Sequence, residues 1–452
     1  MLRRTFLAAL AAPPKRPHLV LFISDDHGYY DSPLYGSKIV RTPQLAALAA
    51  AGTVHTGMFV GSPTCVPSRA VMMTGLMPVR NGLEPNHGQL PAHVETLPTY
   101  LKTLGYHVAH FGKSHFNPPA SYANWEAVPS ELKPGPLRAD LDTDAFATWL
   151  AARNPAQPLC LIVGCHSPHV YWEPNSGYDP AAVELPPDHV DTPETRQWRT
   201  RYYTDITKMD EQLGRVHAAV RTRLGPNTLF TYMADNGAQW PAAKWSLYDV
   251  GIRVPMVSSW PALGRPASRS DALLSAADIL PTFIELAGGI PPPGLDGRSF
   301  APLLHGRTTR HRSEIYATHA ADGKMNCFPM RCIRTATHKY IRNLHPEFQY
   351  RTHIDSGVDE DGVAYWKSWE AKAATDPASA RLVARYRRRP AEELYDLRTD
   401  PFELTNLIGR GLPIEAQLRR QLTAWMKAQG DEGKVFGTPV PLAASALPPQ
   451  TG

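Results

Sequence analysis

Three carboxylates and an amide stand in two short clusters, Asp25-Asp26 and Asp235-Asn236, each directly behind an apolar run. Their oxygens are hard donors, suited to Ca²⁺ or Mg²⁺ rather than to zinc. Gly28 and Gly237 follow the clusters and would let the backbone turn sharply behind the ligands. One such cluster alone is an ordinary Asp/Asn turn, whereas two at equivalent places favour a metal site. A second centre is Cys65, in "SPTCVPSRAVMMTG" over residues 62–75. The run from Ser68 has the pattern of a helix, which puts Cys65 just ahead of a helix start. There it faces free backbone N–H groups and a partial positive charge, with Arg69 pointing back from one turn on. Such surroundings would lower a thiol's pKa and make it a nucleophile. A soft thiolate is nevertheless mismatched with a hard-cation site, and the neighbours suit an oxygen nucleophile.

Two more polar clusters follow apolar runs in the same way. Lys113 and His115 end "YHVAHFGKSH", and His166 and His169 end "PLCLIVGCHSPH". With "PHLVLFISDDHG" and "TLFTYMADNGAQ" they make four buried parallel strands with their polar ends at the C-terminal edge. That is where open α/β sheets collect ligands. Helical segments separate the strands. They are "TPQLAALAAAG" (Thr42 as N-cap, Pro43 in the first turn, Gly52 as stop), "TLPTYLKTLG", "TDAFATWLAAR", a long helix over about 194–224, and "SDALLSAADILPTFIELAG" capped by Ser270. Alternation of strand and helix gives a mostly parallel sheet covered on both faces. Past about residue 305, "EIYATH", "MRCIRTATHKYIRN" and "EELYDLRTD" have the pattern of short strands with tight turns, before a last helix at about 413–429. A smaller antiparallel unit follows from these.

The 452 residues are 43% hydrophobic and 20% charged, with 44 prolines that point to long, shaped loops. A net charge of +5 suits an anionic substrate as well as an ordinary basic surface. Zinc spacing and the aromatic-basic pattern of RNA binders are both missing, so no nucleic acid is expected. The densest basic run, "RYRRRP" with Arg385, Arg387, Arg388 and Arg389, reads first as a solvated helix end and second as an anion patch. Cys160 and Cys165 are five apart in one strand and point to opposite faces, so they do not pair. The first residues, "MLRRTFLAALAAPP", resemble a twin-arginine export signal over 1–14, which predicts a periplasmic or secreted bacterial protein. The apolar stretch 6–12 is too short for a membrane span.

Cys65-Val66-Pro67-Ser68-Arg69 resembles the Cys-x-Pro-Ser-Arg signature of the Cys-type sulfatases. Asp25-Asp26-His27-Gly28 is similar to that family's first metal motif and Asp235-Asn236-Gly237 to its second. "FGKSH" resembles its Gly-Lys-x-His motif, "HSPH" the segment supplying a sulfate-binding histidine (here His169), and Lys244 its second sulfate lysine. "TPQLAALAAAG", "GIRVPM", "ADILPTFIELAG" and "LDGRSFAPLL" also look like the family, so the resemblance spans roughly residues 18–430. It implies an alkaline-phosphatase-like α/β fold, a mostly parallel sheet sandwiched by helices. A catalytic domain over 18–305 and a C-terminal subdomain over 306–445, antiparallel sheet plus helix, follow from it.

The resemblance also implies chemistry. A formylglycine-generating enzyme would oxidise Cys65 to Cα-formylglycine, whose hydrated aldehyde attacks sulfur. Asp25, Asp26, Asp235, Asn236 and the modified residue 65 would hold Ca²⁺, with Mg²⁺ as the alternative. Arg69 would brace residue 65, and Lys113 and Lys244 would bind sulfate. His169 would protonate the leaving group and His115 would help release sulfate, while His27 would merely line the pocket and His166 is left as a bystander. The substrate would be a sulfated saccharide. Within the family the likeness is to the heparan N-sulfatases (sulfamidases), through "CFPMRCIRTATHKYIRNLH", "IDSG" and "EELYDLRTDPFELTNL". Lys244 departs from that group, where an arginine is expected, and a lysine is common among O-sulfatases. An N-sulfoglucosamine sulfohydrolase-like activity is therefore the expectation. The alternatives are a glycan O-sulfatase, a formylglycine-dependent phosphodiesterase or phosphonate monoester hydrolase, and a non-catalytic glycan binder with an unmodified Cys65.

Overall fold

Seven consecutive residues, His18–Ser24, are all buried and form β1. A strand without a polar face must have layers on both sides and neighbours on both edges. The computed structural model, which describes residues 16–115, 125–128 and 141–442, gives it both. The expected export segment over 1–14 lies outside the described residues. The further strands of the N-terminal part are β2 (Thr53–His55), β3 (Met58–Phe59), β4 (His107–Gly112), β5 (Glu126–Ala127), β6 (Leu159–Gly164), β7 (Thr228–Ala234), β8 (Met256–Ser259), β9 (Ser268–Ser270) and β10 (Leu274–Ser275). Seven of them join β1 in one sheet in the order β5-β4-β6-β1-β7-β8-β2-β9. From β5 to β7 every pairing is parallel, and β8 turns the sheet antiparallel against β7 and β2. The 32-residue helix Pro193–Leu224 lies against β1 and β7, and the helix Pro43–Ala50 against β8.

The C-terminal strands β11 (Glu314–Asp322), β12 (Asn326–Thr335), β13 (His338–Asn343) and β14 (Glu392–Asp396) form an antiparallel sheet in sequence order. The final helix, Pro413–Gln429, packs on β12 and β13, with Trp425 stacked on Tyr316 at 4.6 Å between ring centroids. The expected fold, a mostly parallel sheet flanked by helices with a small antiparallel sheet behind it, is the fold observed.

Local chemistry departs from the sequence reading in three places. The segment after Ser270 is not helical. Leu274 and Ser275 pair with Met58 and Phe59, and the helix proper is Ile279–Leu286, introduced by a Ser275/Asp278 capping box. Thr42 does precede the helix Pro43–Ala50, but its side chain makes no cap. Asp210, on the long helix, accepts from the amides of Gln44 and Leu45 at 2.9 and 2.8 Å instead. The arginine run divides as well. Arg387 and Arg388 are exposed, whereas Arg389 is buried with its guanidinium over the rings of Tyr248 and Tyr350, so the solvated helix end holds for only part of it. All five cysteines are free and buried, and none of the described helices is long and apolar enough to cross a membrane.

Buried imidazoles tie this fold to pH. Burial pushes His55 on β2 down to about 4, and burial also takes His319 on β11 down to about 4. Unfolded, these rings titrate at 6.5, so between 6.5 and 4 the native state binds fewer protons than the unfolded chain. Their contribution is complete above pH 6.5 and is lost as pH falls through that window, by ~3 kcal/mol per ring at its lower end. The urea midpoint should therefore drop steadily on acidification across this range. His55→Gln should make the drop shallower, and an equal slope would refute the assignment.

Candidate active site

The order β4-β6-β1-β7 brings four polar strand ends side by side: Lys113 and His115, His166 and His169, Asp25 and Asp26, Asp235 and Asn236. Gly28 and Gly237 are needed here for close approach rather than for a left-handed turn. A Cβ on Gly237 would stand 2.0 Å from the Val250 carbonyl oxygen, and one on Gly28 would stand 2.3 Å from Asp31 Oδ2. Over these ends lies the helix Cys65–Thr74, buried at all ten positions. It starts at Cys65 with Thr64 as N-cap, not at Ser68, because Ser68 N already donates to Thr64 O at 3.0 Å. Cys65 is thus the first residue of the helix. Ser68 Oγ donates to Asp235 O at 2.5 Å, and Asn86 Oδ1 accepts from Val66 N at 3.1 Å, which fixes the helix start over the strand ends.

Three cations answer three carboxylates at the centre, and Arg69 reaches two of them, with Nη2 3.8 Å from Asp25 Oδ1. Arg69 Nε is 2.8 Å from Asp235 Oδ2, Lys244 Nζ 2.7 Å from Asp26 Oδ2, and Lys113 Nζ pairs with Asp25. Asp26 N donates to Asp235 Oδ1 at 3.1 Å, and Asn236 Nδ2 to Asp26 Oδ1 at 2.7 Å. Cys65 Sγ lies 3.2 Å from Asp25 Oδ1. Burial raises the Asp26 pKa, with Lys244 opposing and Asp235 reinforcing it. For Asp235 burial works the same way but Arg69, Lys113 and Lys244 outweigh it, holding its carboxyl below the ordinary value. Burial opposes the Lys244 ammonium too, yet Asp26 and Cys65 keep its pKa above normal.

The thiol departs from the sequence expectation. Burial drives the Cys65 pKa well up, with Lys244 and Arg69 pulling against it and Asp235 and Asp26 adding to it. Unmodified, this cysteine is a poor nucleophile, because burial first, and the carboxylates beside it second, disfavour a thiolate.

The donor set fits a hard divalent ion. Asp25, Asp26, Cys65 and His169 offer donor atoms all within 4.8 Å of one another. Asn236 Oδ1 is buried with no hydrogen-bond partner, an orphan acceptor at the same strand end. Asp235 stands beside this group rather than in it, turned towards Arg69 and the Asp26 amide. His169, which the sequence placed only near sulfate, joins the group through Nε2 at 3.7 Å from Asp26 Oδ2. Its Nδ1 is 2.6 Å from Val170 O. A carbonyl only accepts, so Nδ1 carries hydrogen and Nε2 is the nitrogen left to exchange a proton. Burial, with Lys113 and Arg69 adding to it, pushes His115 down to about 2, which makes it a neutral imidazole.

Cys65, Lys113, His115, His169 and Lys244 all line one cavity of about 390 Å³. His166, left aside as a bystander, lines it too, 5.1 Å from the His169 ring. His27 does not, being buried beneath the strand ends. Sequence reasoning missed Asn86, His87, Asp322 and His353, which complete the wall. None lies behind an apolar run, so periodicity gave no signal. Asn86 and Asp322 meet only because Asn86 N donates to Ala321 O at 2.8 Å across the two parts of the fold.

Residues 17–290 match the sulfatase family model, and residues 240–357 match the model of the N-sulphoglucosamine sulphohydrolase C-terminal region. An ulvan-active sulfatase of Formosa agariphila is 32% identical over 448 residues, covering 96% of this chain and 85% of that one. The human N-sulphoglucosamine sulphohydrolase is 26% identical, covering 91% of this chain and 90% of its own. Among solved structures, a 2-O GAG sulfatase superposes with a TM-score of 0.72 at 21% identity, over 94% of this chain and 95% of that one, a likeness of fold. The chain belongs to the sulfatase family, the hydrolases of sulfate esters.

Proposed function

We propose that the protein removes sulfate from a sulfated saccharide, with residue 65 acting as Cα-formylglycine beside a divalent ion, Ca²⁺ in preference to Mg²⁺. The observation that carries this reading is the single cavity where Cys65, two lysines and two histidines converge above the Asp/Asn cluster. Relatives named for ulvan and for N-sulphoglucosamine support a saccharide as the substrate class. Maturation then depends on a formylglycine-generating enzyme, and the expected export signal over residues 1–14 agrees with a periplasmic or secreted location.

Hydrated formylglycine at residue 65 would supply the oxygen for attack on sulfur, and a divalent ion, which Asp25, Asp26, Asn236 and residue 65 would hold with Asp235 beside them, would supply positive charge. The chain's own groups do the rest. Lys113 and Lys244 present compact ammonium charges to a tetrahedral anion. Arg69, locked on Asp235, keeps the helix that carries residue 65 over the strand ends. His169 holds a proton at Nε2 for the departing sugar oxygen, its ring fixed by the Val170 carbonyl. His115 stands in the same cavity to take the proton of the second diol hydroxyl as its C=O re-forms and the C–O bond to sulfate breaks.

Lys244 favours an O-sulfate as the scissile group. The match of residues 240–357 to the N-sulphoglucosamine sulphohydrolase C-terminal model supports a sulfamate as the second reading. A heparin-derived disaccharide carrying both an N-sulfate and a 6-O-sulfate separates them. With protein co-expressed with a formylglycine-generating enzyme and supplied with Ca²⁺, product NMR should show the 6-O-sulfate gone. A free amine would establish the sulfamidase reading. Loss of neither would reject both for this sugar, and release of phosphate from a phosphodiester would move the reading to the phosphodiesterase alternative.

His169→Asn tests the proton assignment. Turnover of a saccharide sulfate, with its poor alkoxide leaving group, should fall about 10²–10⁴-fold. An aryl sulfate, whose leaving group needs little protonation, should lose far less. Equal losses would remove His169 from the role of acid.

A further inference from the structure

One wall of the catalytic cavity has no part in the chemistry above. There His87 stands with its side chain 58% exposed, its Nε2 3.2 Å from Oδ1 of Asp322, a carboxylate whose own side chain is only 3% exposed. The ring is 5.5 Å from that of His115, so it flanks the reacting centre without belonging to it. Its backbone is left-handed, φ 60°, a conformation tolerated by few residues and common at functional positions. Its neighbour Asn86 is pinned on three sides: N to Ala321 O at 2.8 Å, Oδ1 to Val66 N at 3.1 Å, and Nδ2 to Asp322 Oδ2 at 3.0 Å. Trp245 Nε1 donates to the same Asp322 oxygen at 2.5 Å. The histidine is thus presented to the cavity by a rigid frame built from both parts of the fold.

We propose that His87, held by Asp322, binds a second anionic group of the saccharide and so selects substrates that carry more charge than the sulfate being removed. Asp322 takes Nε2, which leaves Nδ1 as the nitrogen offered to the ligand. The bond to Asp322, against burial, raises the His87 pKa and favours the imidazolium. Asp361, on the same wall as His353, caps the Val358 amide at 3.2 Å. A second sulfate and the carboxylate of a uronic acid share the chemistry His87 would recognise. Asp322 is the positioning residue, acting through His87.

The inference rests on the saccharide-sulfatase reading, and the experiment keeps the two apart. Two substrate pairs are compared, each with the same scissile sulfate. One pair differs by a second sulfate, the other by a carboxylate against a hydroxymethyl group. Wild-type protein should favour the doubly charged member of at least one pair, and the pair that responds identifies the anion. His87→Asn keeps a residue that accepts the left-handed backbone and removes the charge. It should lower the preference, as a ratio of kcat/KM, about ten- to a hundredfold, with the loss in KM. Asp322→Asn should move the ratio the same way, and the double variant should lower it no further than His87→Asn alone. An unchanged ratio in His87→Asn overturns the inference. If that variant does not fold, a wild-type enzyme that prefers neither doubly charged substrate overturns it on its own. Turnover of an aryl sulfate with no saccharide sulfate accepted would overturn the proposed function and this inference together. Saccharide turnover with an unchanged ratio would overturn this inference alone.

Discussion

Three carboxylates, Asp25, Asp26 and Asp235, are wholly buried within a few ångströms of one another at the ends of two adjacent strands. Each would cost several kcal/mol to bury alone, and together they repel. Arg69, Lys113 and Lys244 answer them one for one, which brings the formal charge of the set to zero. A divalent ion on the remaining oxygen donors would leave a net charge of plus two facing the cavity, which suits an anion. The opposite shifts of Asp26 and Asp235 show the same balance from within. Burial raises Asp26, while the guanidinium and ammonium groups nearest Asp235 hold it down.

That balance dictates much of the architecture. Paired charges are stabilising in a dry interior only if none of them can drift, so each partner must sit on a rigid element. Strands β4, β1 and β7 bring Lys113, Asp25 with Asp26, and Asp235 to one edge, the buried helix Cys65–Thr74 carries Arg69, and Lys244 comes from the segment after β7. Arg69 belongs to that helix, which is why its pairing with Asp235 also determines where residue 65 stands. A cysteine in this setting has its thiol pKa driven up rather than down. Burial and the carboxylates that suit a cation disfavour a thiolate, while Lys244 and Arg69 pull the other way and are outweighed.

The strand ends were legible in the sequence because two apolar runs close alike, in Asp-Asp and Asp-Asn, and two more close in the Lys113/His115 and His166/His169 clusters. The start of the helix at Cys65 was not, since Pro67 and Ser68 imitate a first turn while the closing bond runs from Ser68 N back to Thr64 O. Nor was the strand at Leu274 and Ser275, whose pairing with Met58 and Phe59 overrides a helical pattern. The cavity wall was the least legible part. Asn86, His87 and Asp322 come together through contacts more than 200 residues apart, and neither period nor motif marks them.

The C-terminal sheet has more to do with Lys244 than its position in the chain suggests. Lys244 lies in a segment whose next residue, Trp245, is bonded to Asp322 on β11 and whose backbone at Leu247 accepts from Lys339 Nζ on β13 at 2.9 Å. Lys339 also pairs with Asp249 at 2.6 Å and with Glu403 at 3.0 Å, a buried network that closes the far end of the same segment. A long, flexible lysine could reach Asp26 from many backbone positions, so the pairing alone would not fix where its charge meets a substrate. Anchored at Trp245, Leu247 and Asp249, the segment has few alternatives. The small sheet therefore sets where the Lys244 ammonium meets Asp26 and, through Asp322, one wall of the cavity. Both depend on one packed interface, and a change in the β11–β13 sheet reaches both.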